Sequence, residues 1–135
     1  MDELLREAFR ETAYHVNLDT LSWATIRVEL PLPAELAGVV GTRPWAFITA
    51  WNPQARRRST EDNMSAQQAL LAALEQQRDV SIYPAIGVGS SGWIEPSLFV
   101  IGVDTATMDG LARTHRQLAY VHGAASGEAL LRELE

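Results

Sequence analysis

The chain has 135 residues, which fits one domain, and a hydrophobic fraction of 47% argues against extended disorder. Its formal net charge of -6 argues against broad binding to a nucleic-acid backbone, because such binding needs a basic face. It contains no cysteine, which excludes disulfides and zinc-thiolate sites and suits a reducing compartment.

The N-terminal residues 1–5 are acidic and amphipathic, whereas a signal peptide needs a basic start and an apolar core. No apolar run approaches the roughly 20 residues that span a bilayer. We therefore expect a cytoplasmic protein without a membrane partner.

The first part of the chain predicts a helix and then an edge strand. Apolar residues recur at helical spacing from Leu5 to Thr12. Residues 23–30 alternate between apolar and polar, which is typical of a half-buried strand, and Pro31 and Pro33 end it. Residues 34–42 fit a loop or a short helical turn.

Residues 45–51 predict a different kind of strand, because both of its faces are apolar. Trp45, Phe47 and Trp51 share one face, and Ala46, Ile48 and Ala50 share the other. A strand without a polar face is central and covered on both sides. Pro53 ends it, since proline cannot donate to a sheet ladder.

The remaining elements follow in order. Residues 59–63 offer helix caps before a helix at 66–78, and strands at 80–88 and 93–103 flank a glycine-rich turn at 87–92. Asp104 caps a helix that runs to residue 115, and residues 117–122 form the last strand. Ser126 starts a terminal helix that carries Leu130, Leu131 and Leu134.

From residue 45 to about 122 the predicted order is β-α-β-β-α-β. This order is typical of an α+β, ferredoxin-like split βαβ sandwich, here preceded by an N-terminal helix and an extra edge strand. No repeat or linker divides the chain, so we expect a single domain over residues 1–135.

This strand order brings distant residues to one edge of the sheet. The end of the central strand, the start of the first core helix, the glycine-rich turn and the starts of two later strands all meet there. Convergence of apolar walls with a few polar groups is typical of a small-molecule site. The residues predicted to bind a ligand are Thr49, Trp51, Asn52, Asn63, Trp93, Ser97 and Gln117.

Glu95 is the candidate acid or base at this edge. It shares a strand face with Trp93 and Phe99, and burial beside them raises the pKa of a carboxyl group that has no cationic partner. Structural alternatives stay open for each polar residue. Glu95 can be an end-of-strand charge facing water, Asn63 a helix cap, Asn52 a turn residue, and Gln117 a partner for a backbone group.

Arg56, Arg57 and Arg58 form the one basic run near this edge. Such a run is usually solvated surface, but with the amides of the glycine-rich turn it can hold an anion. The turn itself, residues 87–92, matches G-x-G-x-x-G, yet a strand follows it where a dinucleotide site needs a helix. A nucleic-acid role through these arginines and stacking on Trp51 and Trp93 is a distant alternative, since tryptophans at strand spacing usually belong to the core.

No metal or cofactor is predicted. His15, His115 and His122 lack metal-ligand spacing, and Ser90 and Ser91 have no evident base and orienting acid.

The residues 48–53, Asn63 at the start of a leucine-rich helix, the W-x-E-P-S run at 93–97 and the Q-x-A run at 117–119 resemble the bacterial domain of unknown function 3293. The resemblance covers roughly residues 14–122. It implies a small bacterial domain and carries over no activity. The arginine run and the Gly-Ser-Ser-Gly turn are not parts of the family pattern.

Two functions are consistent with these observations. The first is a small-molecule or anion-binding site at the sheet edge, with Glu95 available for acid or base chemistry if a reaction occurs. The second is an interaction domain, for example a homodimer. A ferredoxin-like sheet carries its helices on one face, so the second apolar face of the central strand needs a terminal helix or a partner subunit.

Overall fold

A computed structural model describes residues 1–90, 92–124 and 127–134. These residues form an α+β fold with four helices and a seven-stranded antiparallel sheet, which confirms the predicted class. The helices are α1 (Glu3–Glu11), α2 (Ala34–Val40), α3 (Thr60–Glu75) and α4 (Thr105–Thr114). The strands are β1 (Ala13–Asp19), β2 (Ser22–Ile26), β3 (Trp45–Ile48), β4 (Ser81–Val88), β5 (Ile94–Ile101), β6 (Ala119–Gly123) and β7 (Leu130–Glu133). No helix in the described ranges combines the length and the hydrophobicity needed to cross a membrane.

The sheet is curled, with strand order β2-β1-β4-β5-β3-β6-β7 and antiparallel neighbours throughout. Its two edges are joined beyond the strands, because Val28 bridges Ala129 and Pro31 bridges Glu128. Ala129 accepts a hydrogen bond from the Glu29 amide at 2.7 Å and donates to the Leu30 carbonyl at 2.9 Å. The curl gives the sheet a concave face. The side chains and the helix that pack on this face decide where a cavity can form.

Strand β3 lies inside the sheet and is buried along its whole length. Its faces divide as predicted: Trp45 and Phe47 enter one apolar core, and Ala46 and Ile48 enter another. The helices α3 and α4 cover the second face through Leu70, Leu74, Met108 and Ala112. The first face is the concave one, and α2 fills part of it with Leu36 and Val40. The chain therefore covers both faces of β3 itself.

In the N-terminal half, one predicted strand is shorter than expected and one further strand was not predicted. The edge strand was expected at 23–30, but β2 ends at Ile26, and Leu30 is 55% exposed. Strand β1, which pairs with it as a hairpin, was not predicted. Its alternation of Tyr14, Val16 and Leu18 with polar residues is the signal that identifies it.

The predicted C-terminal helix is wrong, because residues 130–133 form β7 against β6. Ser126, its expected first residue, lies outside the described residues. The leucine spacing also fits a strand: Leu131 packs on the concave core, and Arg132 turns away to Asp109 with contacts of 2.7 and 2.6 Å. The Arg132 guanidinium lowers the pKa of Asp109 to about 2, so the ion pair between the partly exposed Arg132 and the buried Asp109 fastens β7 to α4.

We predict opposite effects for two alanine substitutions at glycines. A Cβ on Gly123 would lie 2.8 Å from the buried Trp45 indole, so Gly123→Ala should lower the free energy of unfolding by about 1–3 kcal/mol. Gly110 lies exposed in α4 with open space around it, so Gly110→Ala should raise that free energy by up to about 1 kcal/mol. Urea denaturation of both variants measures the two effects, and an unchanged midpoint for Gly123→Ala would contradict the packing of Trp45 on β6.

Candidate functional site

A pair of asparagines joins the end of β3 to the start of α3. The backbone N–H of Asn52 donates a hydrogen bond to Asn63 Oδ1 at 2.8 Å. In return, the side-chain Nδ2 of Asn63 donates to Asn52 Oδ1 at 2.8 Å. Both residues are buried, at 7% and 2% exposure, so their side-chain amides need hydrogen-bond partners within the protein, and each residue provides one for the other. Ser59 is the N-cap of α3 and accepts from the Asp62 amide, so the alternative interpretation of Asn63 as the cap is wrong.

Arg58 completes this contact between β3 and α3. Its Nε donates to Asn63 Oδ1 at 2.6 Å, its Nη2 donates to the Ala50 carbonyl at 3.1 Å, and its amide donates to Asn52 Oδ1 at 3.2 Å. The guanidinium thus bridges Asn63 and the Ala50 carbonyl, although Arg58 as a residue is exposed. Arg57 instead places its guanidinium 4.6 Å from the centre of the Trp93 ring, and Arg56 is exposed.

Other polar side chains hold the neighbouring backbone. Thr49 Oγ1 donates to the Pro96 carbonyl at 2.7 Å, which links β3 to β5. Gln67 Oε1 accepts from the Ala50 amide at 2.8 Å. Gln117 Nε2 donates to the carbonyls of Trp51 and His115 at 3.2 and 3.3 Å, which is the backbone role considered for it. These contacts fix the edge of the sheet at which Glu95 lies.

Glu95 is half-buried on the concave face, and two side chains hold its carboxylate. Trp93 Nε1 donates to Oε2 at 2.7 Å, and Asn52 Nδ2 donates to the same oxygen at 3.3 Å. Within the described parts of the chain, no donor reaches Oε1. Burial raises the pKa of Glu95, and the hydrogen bonds from Trp93 and Asn52 offset this only in part. Glu95 is therefore a carboxyl group with a raised pKa, and its Oε1 accepts no hydrogen bond from the described residues.

Glu95 faces a cavity of about 260 Å³ at the open end of the concave face. Its walls are mostly apolar and aromatic, and Thr49, Asn52, Ser97 and Gln117 contribute polar atoms. Of the described residues that line it, Glu95 is the charged one. The aromatic lining residues are Phe9, Tyr14, Phe47, Trp93 and Tyr120. A cavity of this kind, apolar with one placed ionisable group, matches the general form of a ligand site.

Helix α1 covers the mouth of the cavity. Leu5, Ala8 and Phe9 line it, yet no residue of α1 is fully buried. Exposed ion pairs tie the helix down, from Arg6 to Glu133 and from Arg10 to Glu29, and such pairs each contribute about 0–1 kcal/mol. The buried Tyr14 hydroxyl adds a hydrogen bond to the Phe9 carbonyl at 2.6 Å. Exposed ion pairs and this one hydrogen bond therefore hold α1 over the cavity.

The structure brings most of the predicted site residues together. Thr49, Asn52, Trp93, Glu95, Ser97 and Gln117 line the cavity, and Asn63 lies behind Asn52. Trp51 is half-buried and is not among the described lining residues, so only Trp93 of the two tryptophans considered for stacking a planar ligand lines the cavity, and Arg57 lies over its ring. Gly87, Gly89 and Ser90 of the glycine-rich turn reach the cavity, whereas Ser91 lies outside the described residues.

Sequence reasoning missed several residues of the site. Gln67 and the clamping role of Arg58 have no sequence signal, because their partners lie on other elements. Tyr14 and Phe9 do have a sequence signal. The alternation of β1 places Tyr14 on the inward face of its strand, and the apolar stripe of α1 places Phe9 on the inward face of its helix. What the sequence did not indicate was that this stripe would close a cavity.

Residues 48–120 match the family described as a protein of unknown function (DUF3293). The chain belongs to this family. The match begins at the end of β3 and includes the asparagine pair, Arg58, Glu95 and Gln117, so the polar network lies within the DUF3293 region. Helix α1 and the β1–β2 hairpin lie outside it. No curated protein matches the chain, and no solved structure does.

We predict that Glu95→Gln stabilises the protein at neutral pH. The folded protein raises the pKa of Glu95, so it binds more protons than the unfolded chain between the ordinary and the raised value. The free energy of unfolding of the wild type should therefore fall as pH rises through this interval. Glutamine does not titrate, so the two proteins should be equally stable below about pH 4 and diverge above it.

Urea denaturation from pH 3.5 to 8 measures this difference. Glu35→Gln is the matched control, because Glu35 is exposed at the start of α2. A wild type that is as stable as Glu95→Gln at pH 7 would show that the carboxylate is satisfied in its surroundings.

Proposed function

We propose that this protein binds a small molecule in the cavity beneath α1, with Glu95 as the ionisable contact. One observation carries the proposal: a half-buried carboxyl group faces an apolar cavity of about 260 Å³ with one oxygen free of donors from the described residues. Burying such a group without a cationic partner lowers stability, and groups of this kind in a cleft are candidates for a functional role. The residues proposed to position the ligand are Thr49, Asn52, Ser97, Trp93 and Gln117, with Asn63 supporting Asn52.

The geometry suits proton transfer to a ligand if a reaction occurs. Both donors to the carboxylate approach Oε2, so a proton on Glu95 resides on Oε1, on the side of the available oxygen. A raised pKa lets a carboxyl group hold and release a proton nearer neutral pH. A strained backbone beside the site also supports a functional role: Asn52, Gln54 and Ala55 have φ values of 45°, 56° and 58°.

An anion is the less favoured ligand. Arg58 is engaged by Asn63 and the Ala50 carbonyl, and no arginine is among the described lining residues of the cavity. An anionic ligand in the cavity would lie near the carboxylate of Glu95, which repels it. The possibility of a surface anion at Arg56 and Arg57 stays a prediction from the sequence.

Blocking the cavity mouth tests the proposal. Ala8 lines the mouth from α1, so Ala8→Phe places a ring in the cavity, whereas Glu7→Phe places the same ring on the exposed side of the helix. Indole and benzylamine serve as a neutral and a cationic probe. In NMR titrations we expect at least one of them to shift resonances of the lining residues in the wild type and in Glu7→Phe. Binding should weaken at least tenfold in Ala8→Phe, a change of about 1.4 kcal/mol.

Two results would contradict a ligand site beneath α1. The first is that neither probe shifts the lining resonances at millimolar concentration. The second is that Ala8→Phe binds as tightly as Glu7→Phe while thermal denaturation shows both variants to be folded.

Self-association is the second candidate function. Its original argument, an uncovered face of β3, is removed because the chain covers both faces. A different observation supports it: Trp23 on edge strand β2 is 56% exposed beside Ile86 and His15, and Ile94 on the same convex face is 55% exposed. A second copy pairing along β2 would cover this surface.

Sedimentation velocity measures this directly. If the convex face joins two copies, the wild type sediments as a dimer at micromolar concentration and Trp23→Ser sediments as a monomer. A wild type that stays monomeric at about 200 µM would exclude a dimer of micromolar affinity, because such a dimer is mostly assembled at that concentration.

We also propose that the central unit β3-α3-β4-β5-α4-β6 is ferredoxin-like. The order β6-β3-β5-β4 with antiparallel neighbours supports this assignment, as does the packing of α3 and α4 on the same core. The α1 helix, the β1–β2 hairpin and β7 extend it. A cytoplasmic location stays a prediction from the sequence.

A further inference from the structure

The charges around the cavity restrict the class of ligand. Glu95 is the charged residue among the described residues of the lining, and the nearby guanidinium of Arg58 is held by Asn63 and Ala50. Arg57 lies over Trp93 and is not among the described lining residues. A buried carboxylate that lacks a cation of its own is stabilised most by a ligand that supplies one.

The hydrogen bonds to Glu95 restrict the class further. Trp93 and Asn52 both donate to Oε2, so they hold the carboxylate in one orientation and leave Oε1 as an acceptor. When Glu95 is ionised, Oε1 can only accept a hydrogen bond, so a ligand group that contacts it must be a donor. An ammonium group donates and is charged, and charge-assisted hydrogen bonds are about twice as strong as neutral ones.

The walls of the cavity suit the same ligand. Phe9, Tyr14, Phe47 and Trp93 line it, and aromatic faces attract cations as well as apolar groups. Burial raises the pKa of the Tyr14 hydroxyl far above its usual range, with the Glu95 charge adding to the effect, so Tyr14 stays neutral. The walls therefore contribute no second negative charge at neutral pH.

The volume of the cavity sets the size of the ligand. A cavity of about 150 Å³ is large enough to hold benzene, and this one is about 260 Å³. The space fits one ring with a short arm. The arm must place its polar end at Glu95 while the ring lies among the apolar side chains, including Leu5 of α1.

We propose that the ligand is a small primary or secondary amine with an aromatic or aliphatic ring, its ammonium group paired with Oε1 of Glu95 beneath α1. This inference rests on the proposed ligand site and names the chemistry of its occupant. Because the cation binds the ionised carboxylate, affinity rises with pH as Glu95 ionises, stays level, and falls when the amine itself loses its proton.

Three probes of one shape and different charge test the ligand class. Benzylamine is a cation at pH 7, benzyl alcohol is neutral, and benzoate is an anion. We expect calorimetry or NMR titration to give benzylamine an affinity at least tenfold above that of benzyl alcohol, with benzoate the weakest, as one charge-assisted hydrogen bond implies.

Variants of the protein separate charge from shape. Glu95→Gln should weaken benzylamine binding at least tenfold and leave benzyl alcohol within about threefold. Glu35→Gln makes the same change at an exposed position and should leave all three affinities unchanged. As pH rises above about 4, the ordinary pKa of a glutamate, benzylamine affinity should rise for the wild type while Glu95 ionises and stay level for Glu95→Gln.

The outcomes distinguish the ligand class from the site itself. If benzyl alcohol binds as tightly as benzylamine, or if benzoate binds most tightly, the amine assignment is overturned while the ligand site stands. If none of the three binds the wild type or Glu7→Phe, the amine assignment falls, and the ligand site falls with it when indole also fails to bind. Tight benzylamine binding that Glu95→Gln does not weaken would place the amine elsewhere on the protein and overturn the inference.

Discussion

The burial of β3 on both faces is the constraint on which the rest of this structure depends. A four-residue strand with Trp45, Ala46, Phe47 and Ile48 inside must be covered twice. The helices α3 and α4 provide one cover. The other comes from the sheet itself, which curls until the chain beyond β2 bridges the chain before β7, with α2 packed inside. A curled sheet has an open end, and the cavity lies there.

Glu95 shows how local stability and the proposed function oppose one another. It lies on the concave face of β5, two residues from the buried Ser97 and four from Phe99. A leucine at such a position would extend the core. Instead, Asn52 and Trp93 hold a carboxylate there, and Asn52 is itself held by Asn63 and Arg58. Hydrogen bonds that are partly or fully buried thus connect β5 to the segments after β3 and at α3, and they orient one side chain whose pKa is raised by burial. Such arrangements are found where a protein binds or reacts.

Much of the fold follows from the residue pattern, and the failures have physical causes. The helices near residues 3–11, 60–75 and 105–114 were predictable because their apolar residues repeat at helical spacing next to capping residues. At the C-terminus the spacing of Leu130, Leu131 and Leu134 fits a helix and a strand equally. The free edge of β6 and the Asp109 carboxylate on α4 select the strand. The spacing of residues 130–134 carries no information about β6 or Asp109, because both lie elsewhere in the chain.

The candidate site was also predicted in part from the sequence. The strand order alone implied that Asn52, Asn63, Glu95 and Gln117 would meet. It places the end of the central strand, the start of the first core helix and the starts of two later strands at the same edge of the sheet. It did not indicate which of them would face a ligand. Asn63 and Gln117 are occupied by protein partners, and Arg58, which looked like surface charge, is bound between β3 and α3.

The sequence by itself determined on which face of the central strands each side chain lies. Its alternation places Glu95 with Phe99 and divides Trp45 from Ala46, because a strand sends successive side chains to opposite faces whatever surrounds it. Only the tertiary structure decided what covers each face. The curl of the sheet, the packing of α2 and the position of α1 over Glu95 arise from contacts between distant segments. A periodic pattern specifies that a surface must be covered, but many surfaces of similar shape and hydrophobicity satisfy it, and the choice among them is made by the packing of the whole chain.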